Sequence, residues 1–280
     1  SSVQKRAKKN PFMIAVDQEG GRVSRLKGDF PNLGPALNLA QGKVSSEALL
    51  EIQNYGEHVG LSLQQLGINV NWAPVADIHS KTTHLSIGDR AFSNEKEKVA
   101  KRAGSYLHGL QKSGLFGCLK HFPGQGQANY DTHFHSAKIS VSYKELLLTE
   151  LYPFKQLLSH VSLVMMSHCI YDQLTLSEAS RSATLIKGLL KTQLGFCGVV
   201  ASDDLVMKAV ANTQDDISSY AVDAIAAGCD LLLICKDLTL WEKVIHDLTK
   251  EAKKSRFFAS CLEAAAQNIQ HFRNKLQHPH

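Results

Sequence analysis

The stretch GLFGCLKHFPGQGQANYDTHFH, residues 114–135, decides how this chain is read. Its apolar part, Leu115 to Leu119, reads as a buried strand and ends on Lys120 and His121. Pro123, Gly124 and Gly126 then break regular structure, and the loop beyond them carries Asp131, His133 and His135. A lysine and a histidine at a strand end, followed by a glycine-punctuated loop holding Asp-Thr-His, reads as a site and not as scaffold.

The same pattern repeats outward in both directions. Strand-like runs lie at FMIAVD (12–17), INVNWAPV (68–75), LFGCLKH (115–121), SLVMMSH (162–168), FCGVVASDD (196–204) and CDLLLIC (229–235). Helical periodicity occupies about 46–66, 95–113, 143–159, 182–193, 214–227 and 238–253, with a last helix near 258–275. Ser45 or Ser46, with Glu47 and Glu51, starts the first of these helices. Alternating strands and helices imply parallel strands joined by helical crossovers. Asp17, Asp77, Lys120, His121, His168 and Asp203 fall at or just past the carboxyl ends of different strand runs. A barrel gathers such ends at one mouth, whereas an open doubly wound sheet spreads them along an edge. No GxGxxG follows the first run. The expected fold is therefore α/β, a TIM (β/α)8-type barrel, with residues 1–280 as a single catalytic domain. Six strand runs are found where a barrel needs eight, so an N-terminal βα unit is expected to be lacking from this chain or hidden in weaker runs.

Composition narrows the function classes. Of the 280 residues, 44% are hydrophobic and 20% charged, as in an ordinary globular protein. The net charge of +5 collects near Lys5–Lys9 and Lys250–Arg256 without interleaved aromatic residues, so no nucleic-acid partner is expected. The six cysteines form no CxxC pair, which favours reduced thiols and a cytoplasmic setting. No run approaches the length of a membrane span, and no secretory signal is visible.

Four groups could carry chemistry. Asp203, at the end of GVVAS, could serve as nucleophile or general base, or more simply as a helix cap or ion-pair partner. Asp204 beside it should face away, since neighbouring strand residues alternate. Asp131, two residues from His133, could hold the imidazole and raise its pKa, making it a proton donor near neutral pH. Lys120 and His121 could hydrogen-bond a polyhydroxyl ligand, and a Lys–Asp ion pair would be compatible with that. Asp17 ends a strand before Gly20-Gly21, with Arg22 and Arg25 following. The chain has 13 histidines, yet its HisPheHis lies on a loop and the first strand supplies no histidine pair, so no metal is expected.

DQEGGRVSRL (17–26), NWAPVADI (71–78), IGDRAFS (87–93), KHFPGQG (120–126), DTH (131–133) and SDDLVMKA (202–209) together resemble the glycoside hydrolase family 3 β-N-acetylglucosaminidases of the NagZ type. The resemblance runs from residue 12 to about 235, in the family's order. It implies a retaining exo-hexosaminidase that removes terminal N-acetylglucosamine from N-acetylglucosamine–anhydro-N-acetylmuramic acid, with or without a peptide, in peptidoglycan recycling. It implies Asp203 as nucleophile and His133, oriented by Asp131, as acid/base. It implies Asp17, Arg25, Arg90, Lys120 and His121 as ligands to the sugar, His168 as a strand-end histidine near it, and Asp77 as support. No cofactor is implied; the partner is a small saccharide or muropeptide, and the protein is expected to be a monomer. The sequence departs from the pattern at Gln125, where the family has histidine, at Thr132, and in having only eleven residues before its first strand-like stretch. Two rival expectations follow: a phosphorylase of the same family, because a histidine acid/base would not repel phosphate, and a catalytically inactive glycan-binding barrel.

Overall fold

The computed structural model describes residues 11–39, 42–79, 86–128, 137–207, 214–235 and 238–277. Six short parallel strands make the main sheet: Ala15–Val16, Val70–Asn71, Phe116–Phe122, Leu163–Met166, Val199–Asp204 and Leu231–Leu233. Five lie inside the apolar runs, and the third, Phe116–Phe122, extends one residue past its run. They pair in strict chain order, first with second through to fifth with sixth. A doubly wound sheet reverses its order at a switch point, and this one does not. The result is a curled α/β sheet wound in one direction, as in a barrel. Among the described residues the curl stays open: the first strand pairs with the second alone, and the sixth with the fifth alone. The expected eight-stranded closure is thus not formed by these residues.

Strand parity explains the two faces. Val70, Trp72, Phe116, Cys118, Leu163, Met165, Val199 and Ala201 form one buried cluster, and along each strand they are two residues apart. Leu119, Val164, Met166 and Val200 have the opposite parity and join the larger core. That outer face is covered by the crossover helices. Ser46–Gln65 buries Ile52, Tyr55, Val59 and Leu63 at helical spacing, and Ser45 caps it by accepting from the Ala48 N–H at 3.2 Å. It packs tightly on Lys96–Lys112: a Cβ at Gly56 would lie 2.5 Å from the Tyr106 carbonyl oxygen.

The helix expected over 143–159 is divided into Tyr143–Leu148 and Leu151–Leu157. Pro153 has no N–H to return to Thr149, so a continuous helix would lose a bond there, and proline is instead accommodated in the first turn of a new helix. The break puts Glu150 at the N-cap of the second helix, buried. Residues 184–193 are helical as expected but wound as a wider π-helix.

The inner face is closed from below by the last helix, Arg256–Lys275. Phe272 belongs to the inner cluster and meets Phe116 edge-on at 5.1 Å between ring centroids, with Ile269 and Leu276 beside it. Asn268 on the same helix donates to Asp230 at 2.8 Å, and Asp230 in turn accepts from the Val200 N–H at 2.8 Å. Phe272→Ala should therefore destabilise the protein by about 3–5 kcal/mol, the usual cost of deleting a buried phenylalanine ring. Urea denaturation measures this, and a change under about 1 kcal/mol would show that the ring does not fill the sheet's inner face.

Candidate active site

The inner-face parity shared by Ala15, Cys118 and Ala201 places Asp17, Lys120 and Asp203 one layer further along the same face, at the carboxyl ends of the strands. Asn71 fixes the start of this arrangement. Its side chain accepts from the Gln18 N–H at 3.0 Å and donates to the Gln18 carbonyl at 2.9 Å, holding the backbone between Asp17 and Glu19. The chain then turns through Gly20 and Gly21, whose φ angles of 100° and 54° suit glycine. It returns as a short hairpin, Gln18–Gly20 with Val23–Ser24. Arg22 of that hairpin pairs with Asp89 at 2.9 Å and donates to the Ser86 and Ile87 carbonyls, which ties the hairpin to the segment carrying Arg90.

Four charged side chains then meet. Lys120, 2% exposed, donates to Asp17 at 2.8 Å and to Glu19 at 2.6 Å. Arg90 grips Glu19 with two bonds of 2.8 Å. Two carboxylates and two cations balance, which makes their joint burial tolerable. Burial by itself would raise the Glu19 carboxyl, but Arg90 and Lys120 reverse this and hold it well below its usual range. Burial would likewise lower Lys120 and Arg90, and Glu19 above all keeps both firmly protonated. Asp17 keeps 35% of its side chain exposed, so a polyol can reach it.

His121 follows Lys120 across a cis peptide and faces the same cluster. Its Nδ1 donates to the buried Asp77 at 2.7 Å, which turns Nε2 towards Arg90 at 3.4 Å and Asp203 at 3.9 Å. Asp77 also accepts from the backbone N–H groups of His121 at 3.2 Å and Gln125 at 2.8 Å, so one carboxylate orders both the ring and the turn after it. His168 is buried, with Nδ1 at 2.6 Å from the Ser180 hydroxyl and Nε2 at 3.3 Å from the Asp204 carbonyl, and burial chiefly lowers its pKa. Gln125 accepts from Ser167 at 2.9 Å, next to His168.

Asp203 lies among these groups with 20% of its side chain exposed. Burial pushes its carboxyl up, but His121, His168, the Asp204 N–H at 2.8 Å and Lys120 together bring it below its ordinary value. It is an accessible, ionised oxygen nucleophile in form. Asp204, of opposite parity, faces away and accepts from the Val206 and Cys235 N–H groups at 3.1 Å.

The structure therefore brings together Asp17, Arg90, Lys120, His121, His168 and Asp203. Arg25 stands apart from them on the exposed side of the hairpin, lining a cleft of about 580 Å³ with Arg22, Lys27 and Phe30. Asp131 and His133 lie outside the described residues, as does His135. Glu19 was not anticipated, although its two-residue spacing from Asp17 along a strand could have revealed it. Among the described residues no three His, Cys, Asp or Glu side chains are grouped as a metal site requires, and no helix is long and apolar enough to cross a membrane.

Residues 1–272 match the family described as glycosyl hydrolase family 3 N terminal domain. A β-hexosaminidase of Nitrosomonas eutropha is 36% identical over 244 residues, 86% of this chain and 70% of that protein. A solved family 3 β-N-acetylglucosaminidase from Paenibacillus sp. superposes with a TM-score of 0.90 at 28% identity, covering 99% of this chain but 52% of that one. NagZ from Neisseria gonorrhoeae superposes with a TM-score of 0.75 at 32% identity, covering 83% of this chain and 67% of that one. The chain thus spans about half the length of the Paenibacillus structure. A one-way parallel sheet with a buried charged cluster at its strand ends, in such company, is a glycoside hydrolase. Within that class, the chain belongs to glycosyl hydrolase family 3.

Proposed function

We propose that this protein is a retaining exo-β-N-acetylglucosaminidase, a β-N-acetylhexosaminidase, whose nucleophile is Asp203 and whose acid/base is His133 oriented by Asp131. The single observation that carries this reading is Asp203 itself. It is a partly exposed carboxylate held ionised, beside the Asp17–Lys120–Glu19–Arg90 network. In the first step an Asp203 oxygen bonds to the anomeric carbon and the glycosidic bond breaks. The leaving oxygen takes a proton from His133. In the second, His133 takes a proton from water, the water oxygen bonds to the anomeric carbon, and Asp203 leaves, so two inversions give retention. Asp17, Arg90, Lys120, His121 and His168 bind or border the sugar; Arg25, which lines the separate hairpin cleft, is kept in the binding set on the resemblance of its motif alone.

Further parts of the reading are that residues 1–280 form one catalytic domain whose sheet belongs to a TIM-type barrel, and that the protein acts as a monomer in the cytoplasm. Its substrate is N-acetylglucosamine linked to anhydro-N-acetylmuramic acid or its peptides, released in peptidoglycan recycling. The resemblance of the site motifs supports that substrate.

A 2-fluoro analogue of the sugar with a good leaving group slows hydrolysis of the covalent intermediate more than it slows its formation. It should leave one mole of sugar on the protein, on the peptide containing Asp203. A label on any other residue sinks the nucleophile assignment. Running the reaction in phosphate and finding sugar 1-phosphate as the main product would replace hydrolysis with phosphorolysis.

A further inference from the structure

Glu150 is a buried carboxyl that the reaction above does not use. It is 2% exposed, and its Oε2 is buried with no hydrogen-bond partner. The break after Leu148 aims it at the turn that follows His121. A Cβ on Gly124 would stand 2.5 Å from the Glu150 Cβ and 2.9 Å from Oε2, and one on Gly126 would stand 3.2 Å from Oε1 while colliding with the Ile78 carbonyl. Both glycines are thus needed for the turn to lie flat on this side chain. The groups that meet the carboxyl are the Ile78 and Gly126 backbone, the Gln127 side chain and, through space, the Asp77 carboxylate. Tyr171 and Cys169, both buried, couple to it from beyond the fourth strand, and Tyr171 bonds to the Gly124 carbonyl at 2.6 Å. On its own side, Lys96 is engaged by the Leu148 carbonyl at 2.6 Å. Among the described residues no cation pairs with Glu150.

A buried carboxyl with an unpartnered oxygen, facing another carboxylate and no cation, is far less costly neutral than charged. We infer that Glu150 is the positioning residue of the 123–127 turn: as an uncharged acid it seats Gly124 and Gly126, and thereby holds Asp77 and His121 in place for the sugar. The coupling runs through contacts already given. Gln125 in that turn donates its N–H to Asp77, and Asp77 orients the His121 ring. Ionising Glu150 would set two carboxylates against each other beneath the turn and drive it off Asp77. Burial first, and Asp77 second, push the Glu150 carboxyl up to about 8, which places that event just above neutral pH.

The inference rests on the proposed sugar site for its readout, so two measurements are needed. In protein labelled with ¹³C at the glutamate carboxyl carbons, one resonance should retain the shift of a protonated acid at pH 7 and titrate near 8. It should be missing in Glu150→Gln. Calorimetric affinity for N-acetylglucosamine should fall as pH rises past 8 in the unmodified protein, by up to about tenfold per unit. Glu150→Gln, which cannot ionise, should match the unmodified protein at pH 7 and stay flat through that range. The inference is overturned if every glutamate carbon titrates below pH 6. It is equally overturned if the folded variant loses affinity at pH 7 or keeps the alkaline fall. The first result needs no variant, so a variant that fails to fold leaves the question decidable. If the protein binds no N-acetylglucosamine at any pH, the proposed function fails, while the carboxyl titration still decides the state of Glu150.

Discussion

Asp203→Asn should lower kcat on an aryl N-acetylglucosaminide by about 10⁴-fold or more, the scale on which removing a covalent nucleophile acts. The amide has nearly the shape of the carboxylate and can still accept from the Asp204 N–H, so the fold should be kept. What it lacks is a charge able to bond to the anomeric carbon and to offset the oxocarbenium character around it. Affinity for the sugar should change much less, because the Asp17–Lys120–Glu19–Arg90 network remains. The shorter Asp203→Ala variant provides the stereochemical complement. Azide entering the vacated face should restore turnover and yield the α-glycosyl azide, the product of a single inversion. In the unmodified protein, any acid limb set by Asp203 should lie below its ordinary value of 3.8, since its neighbours lower it. A drop in kcat of less than tenfold for Asp203→Asn would remove this residue from the chemistry.

Glu19→Gln should have the second largest effect, felt in both stability and affinity. Glu19 bonds to both Lys120 and Arg90. Its neutral replacement removes the carboxylate that Lys120 and Arg90 share, and breaking a buried ion pair from one side costs about 3–5 kcal/mol. The freed cations should also move from the positions in which they meet a sugar, raising KM at least tenfold. The pH dependence has a definite sign. The Glu19 carboxyl is depressed in the folded protein, so its stabilising contribution is complete above the ordinary value of 4.5 and declines as pH falls below it. Denaturant melts should therefore show the gap between unmodified protein and Glu19→Gln narrowing as pH drops below 4.5. A gap that is constant from pH 7 to pH 3 would mean that the ion pairs carry none of this stability.

Most of the sheet could be read from the chain because each buried parallel strand is a short apolar run ended by a polar group. All six strands of the main sheet coincide with such runs, the third overrunning its run by one residue, and the parity argument that sends Asp203 inward and Asp204 away describes what is seen. The break at Thr149–Glu150 was harder to see. Leu146, Leu147, Leu148 and Leu151 satisfy one continuous helical face, and only the missing N–H of Pro153 argues against it. The site was partly legible for a related reason. Asp17, Lys120, His121, His168 and Asp203 stand at strand ends, where position alone is informative. Glu19 and Asn71 do their work by pairing with residues 53 to 101 positions away, and such partnerships leave no local pattern. Glu150 leaves even less, since its environment is made by two glycines in another segment.

The last helix has a bearing on how this molecule comes into being. Every residue assigned to chemistry here is synthesised by position 203, yet the apolar side of the sheet that presents them is not sealed until Phe272 arrives. Emerging from the ribosome, the chain carries a nearly finished array of functional groups on a floor still wet, with Val70, Phe116, Leu163 and Val199 uncovered. Because domains are built in order of synthesis and exposed apolar strands invite association, the interval between residue 203 and residue 272 is one in which this uncovered face is open to association.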